Sequence, residues 1–293
     1  MLIRIDVLGD AILSTAFVRE LHENCPQANI DLVVRRQNYF LFKNCPYVSR
    51  ILLYDSDSVD GILPVSKGNI IDAQNKVREF IIRYGIDQQD YDSVINLCPL
   101  LHGHSSLESL LLMFFSHADC LVGKVNSFTI SEQYCYSLLK DYFSFISYET
   151  KGKHEVAYML DILKQCGGRV VSYKTELWLE DGDYEFAKVA LNFKVSCNQV
   201  LIALGLVGSI GSKNWPPKNC LSVARKLAKG HTDTKYLFVL LGGKEAAEAA
   251  SIIQRESIAI NAQVLDMTGK TSLSQAASVL SYCDMYRAAA WNR

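Results

Sequence analysis

The sequence has almost no net charge. Its 30 Lys and Arg residues against 31 Asp and Glu leave −1 at pH 7, so it offers no basic footprint for nucleic acid. Its nine cysteines include no C-x-x-C pair. An odd number without framework spacing points to reduced thiols and a cytoplasmic setting. No apolar run approaches the roughly 20 residues that cross a bilayer; the most apolar helix-like stretch, Leu107 to Phe115, is short and carries Glu108. Arg4 and Asp6 interrupt the first apolar run, so no signal peptide is read there. These absences leave peripheral contact with a membrane surface open. Short-period repeats and low-complexity tracts are missing too. His102 and His104 stand without a carboxylate or cysteine cluster, so no metal is expected. The cysteines lack the His and Asn arrangement of a thiol nucleophile. Few basic residues interleave with the aromatic stretch Tyr134 to Phe145, which reads as core or apolar acceptor surface and not as a base-stacking platform.

What is present is apolar patterning. Hydrophobic residues make up 49% of 293 residues, enough for the cores of two domains. Leu2 to Val7 reads as a strand, Gly9 as a tight turn, and Ala11 onward as a helix whose Leu13, Phe17 and Leu21 share one face. Asp10 then belongs at the carboxyl end of the first strand, where open α/β sheets place ligand crevices, or else it caps the helix. Strands follow at Ile30 to Val34, Val48 to Tyr54, Ser93 to Leu97 and Cys120 to Val122. Helices are expected over Asn69 to Tyr84, Ser105 to Ser116 and Gln133 to Ile146. Tyr148 to His154 is polar and looks like a linker, with a boundary near residue 150. A helix from His154 to Cys166 stops at Gly167-Gly168, and the alternation restarts with strands Gln199 to Leu204, Lys235 to Leu241 and Val264 to Met267. Alternating strand and helix argues for parallel sheets covered on both faces.

Three corners of the second half carry ligand-type features. Leu204 to Pro217 follows a buried strand, and its glycines, Ser209, Ser212 and Lys213 can cradle a phosphate ahead of a Pro-initiated helix. A mobile loop with a solvated Lys is the alternative. Gly211-Ser212-Lys213-Asn214 does not match the Gly-Lys-Ser/Thr order of a P-loop. Gly242-Gly243-Lys244-Glu245 suits a close nucleotide approach and a carboxylate on ribose hydroxyls, or a plain strand turn. Thr268-Gly269-Lys270-Thr271-Ser272 reads as a capped helix start or a ligand wall.

Together these stretches resemble glycosyltransferase family 9, the ADP-heptose:lipopolysaccharide heptosyltransferases. The resemblance is carried by Arg4-x-Asp6-x-Leu8-Gly9-Asp10 with Arg19-Glu20-Leu21 and Pro26, by Tyr91-Asp92-Ser93-Val94-Ile95-Asn96-Leu97, by Lys213-Asn214-Trp215-Pro216, by Leu240-Leu241-Gly242-Gly243 and by Thr268 to Leu273. It spans residue 2 to about 286. It implies a GT-B architecture, with two Rossmann-like domains facing a cleft: residues 1–150 for the acceptor and 151–293 for the nucleotide sugar. It also implies inverting transfer without a metal or other cofactor, the donor (ADP-heptose in the family) being a substrate. Asp10 is then the general base on the acceptor hydroxyl, with Gly9 beside it on the acceptor-side loop. Lys213 neutralises the leaving diphosphate. Ser209 holds phosphate, Gly243 and Glu245 approach the ribose, and Thr271 lines the base pocket. The implied acceptor is lipopolysaccharide or a lipid-linked glycan, at the inner face of the inner membrane. Where the family carries an Asp/Asn-Ser/Thr-Gly-x-x-His motif, this chain reads Met285 to Arg293. The second domain is therefore expected to be incomplete, which opens a second reading: a catalytically inactive remnant that binds a glycan or a partner.

Overall fold

The structure is a computed structural model that describes residues 1–55, 67–100, 103–125, 145–148, 153–191, 199–208, 214–230, 234–257 and 263–287. Two compact units result, Met1–Trp178 and Leu179–Arg293.

The first unit is a six-stranded parallel sheet in the order β3-β2-β1-β4-β5-β6. Its strands are β1 (Leu2–Arg4), β2 (Asp31–Arg35), β3 (Arg50–Tyr54), β4 (Ser93–Leu100), β5 (Cys120–Val125) and β6 (Phe145–Tyr148). Side chains alternate across the sheet as the two-residue strand period demands. Ile3 and Val33 join α4 (Lys67–Tyr84) and α5 (Gly103–Phe115) on one face. Leu2, Leu32 and Val34 join α2 (Thr15–Asn24), α3 (Tyr39–Phe42) and α6 (Glu155–Gln165) on the other. The expected stripe on α4 holds, with Ala73, Val77 and Phe80 buried.

The second unit is a four-stranded parallel sheet ordered β10-β7-β8-β9, with β7 (Gln199–Gly205), β8 (Lys235–Leu241), β9 (Gln263–Asp266) and β10 (Met285–Arg287). Ile202 and Leu204 face α8 (Pro217–Gly230) and α9 (Ala247–Ser257). Leu201 and Ala203 face α7 (Asp181–Ala190) and α10 (Leu273–Ser281). Asp284 fixes the register of β10: its carboxylate accepts the Leu201 amide at 2.8 Å, and its own amide donates to the Leu201 carbonyl at 2.9 Å.

The structure revises several expectations. The first compact unit runs past residue 150. Helix α6 buries Val156, Met159, Leu160 and Ile162 in its core, and the segment up to Trp178 is bound to α2. Buried Arg19 donates to the carbonyls of Ser172 and Lys174 at 2.9 and 2.8 Å, and Glu20 accepts the amides of Val171 and Ser172 at 2.7 and 3.1 Å. Phe145 and Ile146 lie in strand β6 and not in a helix; most of the expected Gln133 to Ile146 helix is outside the described residues. Helix α7 has no counterpart in the expectation. Among the described residues no helix is long and apolar enough to cross a membrane.

Candidate active site

In a doubly wound sheet, ligands bind outside the carboxyl ends of the strands where the order reverses. In the first unit that point lies between β1 and β4. Helix α1 (Leu8–Leu13) starts there, three residues earlier than expected. Gly9 is thus in the first helical turn and not in a tight turn. It has no left-handed φ, and a Cβ added to it would meet nothing within 4 Å. The N-cap is Val7, which has no side chain to cap with, so Asp10 is not the cap either; it occupies the first turn. Ser14 breaks the helix, and its hydroxyl donates back to the Ala11 carbonyl at 2.7 Å before α2 begins.

Asp10 is held from below by Arg4. Although Arg4 belongs to the central strand, its side chain is 1% exposed. Its Nε and Nη2 donate to the Asp10 carbonyl at 3.2 and 3.0 Å, and Nη1 donates to the Leu97 carbonyl on β4. Three carboxylates surround the guanidinium: Asp6 at 3.2 Å, Glu155 at 3.7 Å and Asp10 at 3.9 Å. Burial disfavours the charge on Arg4, yet the charges of Asp6, Asp10 and Glu155 outweigh it and raise its pKa. Beside it the Cys98 thiol is driven well above its ordinary value by burial and by Asp6, so it stays protonated. Asn38 closes the floor by donating to the Asp6 carbonyl at 2.9 Å. The Asp10 carboxylate is 44% exposed and that of Glu155 26%. The result is a fixed, partly open carboxylate at the sheet's switch point.

In the second unit the order reverses between β7 and β10. The loop carrying Ser209 and Lys213 leaves β7 there, but both residues lie outside the described residues. Its neck is described: the Gly208 amide donates to the Asn214 side chain at 3.1 Å, and the Trp215 amide to the Leu206 carbonyl at 3.0 Å. Pro217 then opens α8. At the neighbouring corner the Glu245 carboxylate folds over Gly243 and accepts its amide at 3.2 Å. Gly242 is required for packing, because a Cβ there would sit 2.7 Å from that of Ala246. Gly269, at φ +65°, donates its amide to the Gly242 carbonyl at 2.9 Å, which ties the β8 and β9 corners together. Thr271 lies on that tied turn, next to Ser272. Ser272 caps α10 by accepting the Gln275 amide at 3.1 Å and donating its own amide to the Gln275 side chain at 2.9 Å.

His102 lies outside the described residues, and among those described no group of three His, Cys, Asp or Glu could hold a metal ion. Arg4, Glu155 and Asn214 carry structural work at these corners that the residue-by-residue reading assigned to none of them. For Arg4 the signal was available: a cation inside an apolar run, followed by carboxylates two and six residues on.

No protein-family profile and no curated protein matches this chain. Solved structures do. A family 9 glycosyl transferase from Veillonella parvula superposes with a TM-score of 0.71 at 18% identity, over 97% of this chain and 74% of the other. The E. coli ADP-heptose lipopolysaccharide heptosyltransferase II gives 0.63 at 19% identity, over 97% and 77%. E. coli heptosyltransferase WaaC, solved with ADP, gives 0.62 at 18% identity, over 97% and 78%. The chain has the GT-B fold. Its two parallel sheets are the two Rossmann-like halves of that fold, and the GT-B halves repeat one strand order, 3-2-1-4, which the first extends by two strands.

Proposed function

We propose that this chain is a glycosyltransferase, and that it moves a sugar from a nucleotide-diphosphate donor to a bacterial glycan. The observation that carries the reading is the placement of Asp10: an accessible carboxylate on a main chain pinned by Arg4, at the switch point of the GT-B fold's first half. The finer reading is that the donor is ADP-heptose, the acceptor is lipopolysaccharide core or a lipid-linked glycan, and the setting is the cytoplasmic face of the inner membrane. Its support is the likeness to structures of heptosyltransferases.

In the proposed reaction the acceptor hydroxyl oxygen attacks the anomeric carbon from the face opposite the diphosphate. The bond from that carbon to the diphosphate oxygen breaks, and the configuration inverts. Asp10 takes the hydroxyl proton as the nucleophile forms its new bond. Lys213 and Ser209 meet the charge that gathers on the leaving diphosphate. Gly243, Glu245 and Thr271 hold the nucleoside. No metal takes part.

Release of nucleoside diphosphate from ADP-heptose, ADP-glucose and UDP-glucose, each with heptose-deficient lipopolysaccharide, tests the reading. Asp10→Asn is expected to lower kcat by about 10²- to 10⁴-fold, the usual span for a general base, with donor affinity within twofold. Unchanged turnover would remove the general-base role. Glycan binding with no transfer from any donor would favour a glycan-binding protein without transferase activity.

A further inference from the structure

We propose that Arg4 is a positioning residue for Asp10, acting through the main chain of the first turn of α1. This rests on the general-base reading of Asp10. Helix α1 has six residues, its N-cap Val7 makes no side-chain cap bond, and Ser14 ends it. So short an element is not stiffened by its own hydrogen bonds, because helix formation gains only after a costly first turn. Something else must fix where Asp10 points.

The Asp10 carbonyl is the fixed point. It accepts the Ser14 amide at 3.2 Å, as a helical carbonyl would, and in addition two nitrogens of Arg4 at 3.0 and 3.2 Å. A planar guanidinium donating through two of its nitrogens sets direction as well as distance. Arg4 is itself immobile. It is fully buried, Nη1 is bonded to the Leu97 carbonyl on the neighbouring strand, and Asp6 and Glu155 flank it. The chain of restraint therefore runs from the β1–β4 sheet through one side chain to the backbone of Asp10. It joins two elements that the strand-to-helix connection alone would leave free to pivot. Positioning of this kind matters for turnover because a proton acceptor displaced by a fraction of an ångström leaves hydrogen-bond reach. Substrate affinity should be unaffected, since Arg4 is walled off from solvent.

The test is steady-state transfer by full-length Arg4→Lys and Arg4→Gln variants, with melting temperature measured alongside. Arg4→Lys keeps a cation among Asp6, Asp10 and Glu155 and loses the two-nitrogen hold. It is expected to lower kcat at least tenfold while KM for donor and acceptor stays within about threefold. Arg4→Gln is expected to lower kcat further, so that Lys is a partial rescue. A folded Arg4→Lys protein with kcat within twofold of the parent, or one whose loss lies in KM, overturns the proposal. If neither Arg4 variant folds, Asp6→Asn decides. It leaves Arg4 in place but releases the guanidinium from its near counter-ion, and the same kcat-only loss is expected, about threefold; no change overturns the proposal. Asp10→Asn in the same assay separates the two readings. If it retains turnover, the general-base reading fails; if it abolishes turnover while Arg4→Lys is normal, only the Arg4 inference fails.

Discussion

At the scale of single residues, two glycines that the sequence places alike in ligand loops have opposite roles. Gly9 sits in a helical turn with open space in front of it. Gly9→Ala is expected to raise stability by about 0.4–1 kcal/mol, because the helical backbone there accepts alanine and the unfolded chain has less freedom to lose. It should also lower transfer at least tenfold, because the methyl projects into the space proposed for the acceptor. A stabilised variant with full activity would show that no substrate approaches there. Gly269 has φ +65°, and an added Cβ would lie 2.9 Å from the Lys244 side chain. Gly269→Ala is expected to cost about 1–3 kcal/mol through the left-handed backbone, read as a lower urea midpoint. A second residue-scale prediction concerns Asp31. Burial raises its pKa, but hydrogen bonds from Arg50 and from Tyr91, the latter at 2.6 Å, outweigh that and hold it below its ordinary 3.8. Burial and Asp31 push Tyr91 up to about 12. A depressed carboxylate stabilises above its unfolded pKa and loses that as pH falls through its folded value. A raised phenol stabilises below about 10 and loses that as pH rises towards 12. Asp31→Asn should therefore differ most from the parent between about pH 5 and 10, with the gap in urea midpoint closing on both sides. A constant gap across pH 3 to 11 would refute the linkage.

At the scale of elements, the helices and strands with clean periods were legible, and those whose ends are set by tertiary bonds were not. The stripe of α4 and the Gly-terminated end of α6 follow from side-chain spacing and from the left-handed Gly167. The start of α1 did not, because Leu8-Gly9-Asp10 reads as a loop unless one knows that Arg4 holds the Asp10 carbonyl. Helix α7 begins Asp181-Gly182-Asp183, a turn-like string. It is a helix start because the Asp183 carboxylate accepts the Glu180 amide at 3.3 Å and the Ser274 hydroxyl of α10 at 2.8 Å. Arg19-Glu20, part of the family-like string, straps residues 171–176 to α2. Glu20 is 1% exposed and serves two amides and Arg19. Glu20→Gln leaves Arg19 paired with Glu176 alone, at 2.8 Å, and replaces the carboxylate that accepts the two amides, a loss expected to cost about 1.5–3 kcal/mol, the span for hydrogen bonds to a charged group. Equilibrium unfolding in urea measures it, and limited proteolysis should then cut within residues 169–178 first. An unchanged midpoint would mean that the strap carries no stability.

At the scale of the whole molecule, the strand order repeated in both halves fixes where a ligand is expected to bind. Parallel sheets expose their carboxyl ends to ligand and bury the rest under helices. In the second half the described ends, those of β7, β8 and β9, lead into Gly205 to Gly208, Gly242 to Glu245 and Thr268 to Thr271. A bound nucleotide stabilises the native state by mass action, about 2.7 kcal/mol at a concentration a hundred times Kd, and slows local opening where it touches. Hydrogen exchange in saturating ADP is therefore expected to show new protection at the amides following β7, β8 and β9. The amides of β2 and β3 in the first half should exchange as before. Protection of the first half alone would place the nucleotide with Asp10 and reverse the donor and acceptor halves. Protection in neither half would remove the nucleotide from the proposal and leave the GT-B fold as a scaffold for binding glycan.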